Sequence, residues 1–252
     1  MSAGAISRTP GALDTEFAYV NDLVEAYDES PFDGRMRGYM LRTLAPYLHG
    51  GNALQVGCYQ GDLTVLLEQH YASLTVVDAA QRFLDRTRRR LTRPATFHCS
   101  LFETLRLEAR FDAVFLVHVL EHVIDPVAVL GKIRDLLTED GLAFIVVPNA
   151  AAASRQLAVK MGLIEHNAAL TPADLKHGHR RVYQLDTLEA DARRARLALA
   201  ASGGIFFKPL ANFQFDRLAG GDVISEDYME ACYQLGFRYP ELTASVYAVC
   251  RR

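Results

Sequence analysis

Short apolar runs alternate with amphipathic stretches between residues 53 and 149. The runs predict five strands, over residues 53–57, 73–78, about 95–98, 112–117 and 142–147. The stretches between them carry apolar residues at helical spacing, as Leu63, Leu66 and Leu67 do after the first strand. Alternating strands and helices form a parallel sheet with helices on both faces, so we expect an α/β fold.

Helices are predicted in front of this region. One covers residues 16–27 and a second begins beyond Pro31, while residues 1–14 are expected to be poorly ordered. The second helix carries an apolar stripe every four residues that fits packing on a sheet, and Gly50 with Gly51 is expected to end it. The stripe consists of Met36, Met40, Leu44 and Leu48. We therefore expect a helical segment over residues 1–50 before a domain over residues 51–252.

The pattern changes after the fifth strand. Residues 150–161 favour helix but no strand follows, so residues 150–183 are interpreted as an insertion that folds as a lid. A capping box over residues 186–189 then opens a helix. A sixth strand is expected over residues 203–208 and a last one over residues 244–249.

The helix between the fourth and fifth strands has clear boundary signals. Asp125 is placed as its N-cap and Pro126 as its first residue, and Gly141 is expected to terminate it. Residues 212–235 form a second variable stretch, which we expect near the substrate side of the sheet.

Composition narrows the function without naming it. The chain has 252 residues, 50% apolar, which suffices for one α/β domain with an insertion. A net charge of −3 provides no basic field for nucleic acid, and the basic run 86–93 is interpreted as a solvated helix face. Four scattered cysteines, no membrane-length apolar run and no signal-peptide pattern lead us to expect a soluble cytoplasmic protein without a membrane partner.

The candidate chemistry lies in residues 52–78, a strand, a glycine turn, a helix and a second strand that ends on an acid. Gly57 and Gly61 allow a ligand to approach the backbone, and Asp62 is placed to cap the helix. Asp78 follows Gly57 by 21 residues, the position of an acid that accepts hydrogen bonds from a ribose. We therefore expect a site for a cofactor that contains adenosine.

The turn resembles the first motif of class I S-adenosylmethionine-dependent methyltransferases. Its spacing is G-x-x-x-G, with Tyr59 where a dinucleotide fingerprint has its middle glycine. Residues 111–126 (FDAVFLVHVLEHVIDP) and 141–149 (GLAFIVVPN) are similar to the fourth-strand and fifth-strand motifs of the small-molecule and ubiquinone-type branch. Together the motifs cover about residues 50–150.

This resemblance implies a Rossmann-like, seven-stranded, mostly parallel sheet of order 3-2-1-4-5-7-6, with S-adenosyl-L-methionine as cofactor and S-adenosyl-L-homocysteine as product. Two positions depart from the family pattern, since Gln55 and Ser100 stand where acids are usual and retain hydrogen bonding without charge. The implied cofactor residues are Gln55, Gly57, Cys58, Tyr59, Gly61, Asp78, Ala79, Ser100, Leu101, Phe102 and Val117. From the N-terminal helices, four side chains are within possible reach of the methionine carboxylate or the substrate: Tyr19, Tyr27, Arg35 and Arg37.

Histidines are the candidates for acid–base work, because imidazole titrates near neutral pH. His118 and His122 lie just past the fourth strand, and His179 lies in the insertion beside His177. A structural hydrogen bond is the plainer interpretation of any one of them, and of Glu121. No metal is expected, because no acidic or cysteine partners cluster near His177 and His179 in the sequence. Arg180, Arg181 and Tyr183 are candidates for binding an anionic or sugar-like acceptor.

The predicted function is methyl transfer to an oxygen or nitrogen of a small metabolite of the sugar, polyketide or amine type. A hydroxyl acceptor needs a base, whereas an amine needs only to be bound unprotonated. Three alternatives stay open: a tRNA-modifying methyltransferase that uses the run 86–93, a non-catalytic module that binds the cofactor, and an NAD-dependent oxidoreductase. The expected partner is the small acceptor, and a homodimer is compatible with the sequence.

Overall fold

The computed structural model describes residues 15–20, 30–218 and 223–252. In this part of the chain one sheet is built from β1 (Asn52–Val56), β2 (Ser73–Asp78), β3 (Thr96–Cys99), β4 (Phe111–Val117), β5 (Leu137–Pro148), β6 (Ala198–Phe207) and β7 (Thr243–Arg251). The strand order is β3-β2-β1-β4-β5-β7-β6. Only β7 runs antiparallel to its neighbours among these strands. The predicted fold, strand order and antiparallel last strand are confirmed.

Helices cover both faces of the sheet. They are α1 (Pro31–Leu44), α2 (Asp62–Leu67), α3 (Gln81–Arg90), α4 (Pro126–Leu136), α5 (Ala153–Lys160), α6 (Pro172–Lys176), α7 (Leu185–Arg194), α8 (Asn212–Leu218) and α9 (Glu226–Arg238). Residues 15–20 are also helical, whereas the rest of the helix predicted over 16–27, together with Tyr27 and residues 1–14, lies outside the described residues. No helix in the described ranges has the length and apolar character that crossing a bilayer requires.

The central strands are buried on both faces, as their nearly continuous apolar sequences predict. One apolar cluster packs β4 and β5 against α4 and α7, and the other packs the opposite face against α1, α2 and α9. Phe115 and Phe144 stack face to face across β4 and β5, with ring centroids 4.5 Å apart. This rigid centre fixes the carboxyl ends of the strands, where the loops carry most of the chemistry.

The stripe predicted on α1 is buried at Met36, Met40 and Leu44, but the helix ends earlier than expected. Ala45–Tyr47 forms a 3-10 turn, because Pro46 has no N–H to continue the α-helical hydrogen bonding. Gly50 and Gly51, expected to end the helix, instead have positive φ angles of 76° and 86° and lead into β1.

The boundary between α4 and β5 also differs from the prediction. Asp125 does cap α4, accepting a hydrogen bond of 2.9 Å from the Ala128 N–H, but α4 ends at Leu136 rather than at Gly141. Gly141 lies inside β5, where a Cβ would come 2.7 Å from the Phe111 carbonyl oxygen. The glycine therefore permits close strand contact at the shift in register between β4 and β5, and is not a helix terminator.

Two further capping predictions were wrong. Helix α7 begins at Leu185, and its N-terminal hydrogen bond joins the Gln184 N–H to the Thr187 hydroxyl at 2.9 Å, not residues 186 and 189. Helix α2 has Gly61 at its N-cap with a φ angle of 86°. Asp62 is the first helical residue and forms an ion pair of 2.6 Å with Arg90. The ion pair takes the Asp62 carboxylate away from the helix N-terminus, and a partner 28 residues away cannot be recognised from the local sequence pattern.

Between β5 and α7 the chain forms a segment that we call the lid, residues 150–183, which contains α5 and α6. Arg155 holds the lid together. Its guanidinium donates to the Asn167 carbonyl at 3.0 Å and to the Asp174 carboxylate at 3.1 Å, and it also binds the Ala169 carbonyl. The helical prediction for residues 150–161 is confirmed over Ala153–Lys160.

Candidate active site

A cavity of about 990 Å³ opens at the carboxyl ends of β1, β2 and β4. Its walls come from the glycine turn after β1, the loops after β2, β3 and β4, helix α1, residues 16–20 and the lid. Ligands of open α/β sheets bind at this edge, so the cavity lies where the topology predicts a site. The turn after β1 lines one half, and the histidines line the other.

The glycine turn brings bare backbone to the cavity wall. Gly57 has a φ angle of 74°, and a Cβ at this position would come 2.6 Å from Cγ2 of Val119. Tyr59 also has a positive φ angle, 47°, and lines the cavity. No other residue type fits at position 57 without displacing the loop that follows β4.

Asp78 ties this turn to the end of β2. Its carboxylate accepts hydrogen bonds from the backbone N–H groups of Cys58 at 2.8 Å, Tyr59 at 3.3 Å and Ala80 at 2.9 Å. Burial raises the pKa of Asp78, and the three backbone hydrogen bonds oppose that shift. The carboxylate also lines the cavity, so it can organise the turn and accept bonds from a ligand.

Most of the cofactor residues implied by the sequence line the cavity. These are Gly57, Tyr59, Asp78, Ala79, Ser100, Leu101, Phe102 and Val117. Three others support the turn from behind: Gln55 donates to the Gly57 carbonyl at 3.0 Å, the Cys58 thiol packs in a small apolar cluster, and Gly61 caps α2. These three residues are not part of the cavity lining, and their contact with a cofactor stays a prediction.

His118 lies at the junction of the two halves. It has a φ angle of 56°, which turns the chain sharply after β4, and its Nε2 lies 3.0 Å from the Ser245 hydroxyl. Burial, followed by the nearby charge of Arg37, lowers the pKa of His118 well below its ordinary value. The imidazole is consequently neutral near pH 7 and can exchange hydrogen bonds without carrying charge.

Glu121, His122 and His179 form a cluster whose potential ligand atoms all lie within 4.8 Å of one another. Glu121 is 1% exposed, and within the described part of the chain neither of its carboxylate oxygens has a hydrogen-bond partner. Burial raises the pKa of Glu121 to about 7 and lowers the pKa of His122 to about 3. The three donors could hold a divalent cation, a possibility that the sequence concealed because Glu121 and His179 are 58 residues apart.

Asp174 gives His179 a second carboxylate neighbour. Oδ1 of Asp174 lies 3.2 Å from Nδ1 of His179. Burial alone would lower the pKa of His179, but Asp174 and the charge of Glu121 raise it above its ordinary value. Burial would raise the pKa of Asp174, yet His179, Thr171 and Arg155 hold it well below its usual range. An ionised carboxylate therefore faces an imidazole of increased basicity.

Asp174 was not identified from the sequence. It precedes His179 by only five residues, but no periodicity in the lid indicates that the two side chains meet. Three other candidates lie outside the cavity lining. Arg180 pairs with Glu16 at 2.7 Å and donates to the His122 carbonyl, and Arg181 binds the carbonyls of Leu120 and Val123. Tyr183 is buried and donates to Asp191. Arg180 and Arg181 thus fix the loop that carries His122, whereas Tyr183 binds to α7.

We expect opposite effects on the pH dependence of stability from two residues of the cluster. The contribution of Glu121 is lost as pH rises from its ordinary pKa of 4.5 through about 7, because the native carboxyl holds its proton more tightly. The contribution of His122 is lost as pH falls below 6.5 towards about 3, because the native imidazole resists protonation.

Relative to the natural chain, Glu121→Gln should therefore make the free energy of unfolding rise more with pH between pH 5 and pH 7, and His122→Asn should make it rise less. Each change amounts to about 2 kcal/mol at 1.36 kcal/mol per pKa unit. Urea unfolding at both pH values measures the effect, with exposed Glu139→Gln and His166→Asn as controls. If both variants show the same change in unfolding free energy between pH 5 and pH 7 as the natural chain, the pKa shifts of Glu121 and His122 are contradicted.

Over residues 32–201 the chain matches the family model described as a methyltransferase domain. The ubiquinone biosynthesis O-methyltransferase of Idiomarina loihiensis is 29% identical over 199 residues, which cover 77% of either chain. That of Xanthomonas campestris pv. campestris is 30% identical over 170 residues, 66% of this chain and 70% of the relative. The N-methyltransferase NodS from Bradyrhizobium japonicum, solved with S-adenosyl-L-homocysteine, shares the fold with a TM-score of 0.57 at 16% identity, over 98% of this chain and 99% of NodS.

Proposed function

The chain belongs to the class I S-adenosylmethionine-dependent methyltransferases, and from this membership we propose that it transfers a methyl group to an oxygen or nitrogen of a small metabolite. One observation carries the proposal. A single cavity joins the turn around Gly57 and Asp78 to a half that contains His118, Glu121, His122 and His179. The first half suits a nucleoside, and the second offers proton acceptors beside it. We call the second half the acceptor compartment.

The proposed cofactor position follows from the wall of the first half. The ribose hydroxyls donate to Asp78, and the adenine lies beside Leu101 and Phe102, whose side chains are buried against the cavity. The methionine end then points along Val117, with its carboxylate towards Arg37. The Arg37 guanidinium lines the cavity, and its Nη1 lies 3.4 Å from Sδ of Met40, a weak acceptor.

S-adenosylmethionine supplies an electrophilic methyl group with a neutral leaving group, so much of the acceleration can come from positioning the acceptor. For a hydroxyl acceptor we propose that the nitrogen of His179 that faces away from Asp174 accepts the proton. Asp174 then holds the ring and stabilises the imidazolium. Nothing in this step requires a metal ion, and a metal-free reaction remains our prediction.

The contacts of the basic run 86–93 favour a small acceptor over tRNA, because two of its arginines are used within the fold. Arg90 is engaged with Asp62 and the Gln60 carbonyl, and Arg93 donates to the carbonyls of Glu68, Tyr71 and Ala72. The Arg90 contacts join the end of α3 to the start of α2, and the Arg93 contacts join the chain after α3 to the chain after α2, so both arginines serve the fold. The relatives include proteins named as O- and N-methyltransferases, so both kinds of acceptor atom stay within the proposal.

The first test compares two cofactors by thermal unfolding. S-adenosylhomocysteine at 100 times its Kd should stabilise the protein by about 2.7 kcal/mol, whereas NAD should leave the midpoint unchanged. Stabilisation by NAD alone would contradict the assignment. Formation of S-adenosylhomocysteine across a panel of phenols, sugars and amines then tests catalysis. Tight cofactor binding with no transfer to any of them would favour a non-catalytic module.

A further inference from the structure

Lys208 follows the last residue of β6 and lines the cavity. Among the described residues, no carboxylate lies within ion-pair distance of its ammonium group and no acceptor lies within hydrogen-bond distance of it. The ammonium group lies near the ring of Phe32, with Nζ 5.7 Å from the ring centroid. An ammonium group in a largely apolar wall is unfavourable unless it is paired, so Lys208 needs an explanation.

Among the other cations near the cavity, Arg37 is assigned to the cofactor carboxylate in the proposed function, and the following three are accounted for by contacts within the protein. Arg155 is used by the lid, and Lys132 donates to the carbonyls of Phe102 and Leu105. Lys176, in α6, also has an interaction partner. Lys208 therefore differs from Arg155, Lys132 and Lys176, because its ammonium group is left available to a ligand in the cavity.

The carboxylates around Lys208 do not provide the missing partner for its ammonium group. Asp33, Asp174 and Asp216 raise its pKa, but burial and Arg155 oppose them, and the pKa of Lys208 is lowered overall. Asp33 accepts from the Asn212 amide at 2.9 Å, and Asp216 accepts from the Phe32 N–H at 2.9 Å. The carboxylates are thus held by other groups and stay beyond contact distance of the ammonium.

Lys208 and His118 line the same cavity. The charge of Lys208 is one of those that lower the pKa of His118, after burial and the charges of Arg37, His179 and His122. A group bound to Lys208 would therefore lie in the cavity that also contains the histidines. Since Arg37 is assigned to the cofactor carboxylate, Lys208 is left to contact the acceptor.

We propose that Lys208 binds an anionic group of the methyl acceptor, a carboxylate or a phosphate. The inference rests on the proposed function and specifies its substrate class: a small acid that carries its hydroxyl or amino group at a distance from the anion. The oxyanion would replace water at the ammonium and form a charge-assisted hydrogen bond. Its negative charge would also be favourable beside a cavity that holds a sulfonium.

The chain has four lysines, Lys132, Lys160, Lys176 and Lys208, so NMR of protein labelled on the lysine amines can observe each one. Lys208→Arg assigns the signal of Lys208. With S-adenosylhomocysteine present, we titrate acetate, inorganic phosphate and, as the neutral probe, acetamide. We expect saturable movement of the Lys208 signal with one of the anions and none with acetamide, and the responding anion distinguishes a carboxylate from a phosphate. A Lys208 signal that follows neither anion, or moves only as Lys160 does, overturns the proposal.

Variants separate anion binding from a role as base. Lys208→Met should weaken the binding of the responding anion by about tenfold or more, whereas Lys208→Arg should retain it because arginine keeps the charge and the donors. Exposed Lys160→Met is the matched control. Undiminished anion binding in folded Lys208→Met, or loss in folded Lys208→Arg, overturns the proposal. Affinity for S-adenosylhomocysteine, measured in the same samples, tests the proposed function separately, and Lys208→Met should leave it unchanged.

Discussion

Replacement of Asp78 by alanine is expected to weaken the binding of S-adenosylhomocysteine at least about a hundredfold. Hydrogen bonds to a charged group contribute about 1.5–3 kcal/mol each, and the proposed ribose position uses two of them. The variant also leaves the N–H groups of Cys58, Tyr59 and Ala80 without their acceptor, which loosens the turn. Isothermal titration calorimetry with the purified chain measures the affinity directly.

Asp78→Asn is the matched control for this experiment. Its amide oxygen can still accept from the Cys58 and Tyr59 N–H groups, but its NH2 group then faces the Ala80 N–H, and the negative charge that favours the ribose hydroxyls is gone. We expect this variant to be less stable than the natural chain but more stable than Asp78→Ala, and to bind S-adenosylhomocysteine with intermediate affinity. Unchanged affinity in Asp78→Ala would remove the carboxylate from the cofactor site and leave it a purely structural role.

Replacement of His179 by glutamine is expected to slow methyl transfer to a hydroxyl acceptor by about 10²–10⁴-fold, the usual contribution of a positioned base. Glutamine retains polarity and similar reach, so S-adenosylhomocysteine affinity should stay the same. Because Asp174 and Glu121 raise the pKa of His179, the rate for the natural chain should increase with pH as the imidazole loses its proton. Initial rates of S-adenosylhomocysteine formation at several pH values measure both effects.

Asp174→Asn distinguishes a base at His179 from a merely structural histidine, because only a base would shift the pH profile of the rate. Removal of the carboxylate 3.2 Å from Nδ1 should lower the pKa of His179 and move the midpoint of the rate profile to lower pH. A full rate in His179→Gln with a hydroxyl acceptor would rule out this histidine as the base. If His179→Gln keeps its full rate only with an amine acceptor, the result agrees with the proposal, because an unprotonated amine needs no base.

The sequence predicted the half of the cavity that is built from local patterns. The two glycines and the acid after β2 lie within 22 residues, so their spacing alone implied a turn above a helix and a nearby carboxylate. The order of the strands followed from the family resemblance. Element ends were predicted less well. Pro46 ends α1 earlier than the glycine pair suggested because it lacks an N–H, and Gly141 acts through a close approach to β4 rather than by ending a helix.

The acceptor half was not predictable to the same depth. Glu121 and His179 come from a loop after β4 and from the lid, and only tertiary packing brings them together. Asp174 was missed for a different reason. It lies only five residues before His179, but no periodicity in the lid indicated that the two side chains meet, and the expectation of no acidic partner near His177 and His179 was wrong. Lys208 likewise becomes informative only when its lack of partners is seen.

The close approach of Gly57 to Val119 has a consequence for how new specificities can arise. The nucleoside-facing turn and the histidine loop interlock at this point, so neither can be reshaped without disturbing its counterpart. Changes of specificity are therefore better sought on the opposite side of the cavity, at wall positions of α1 and the lid other than Arg37, Asp174 and His179, which the proposed function uses.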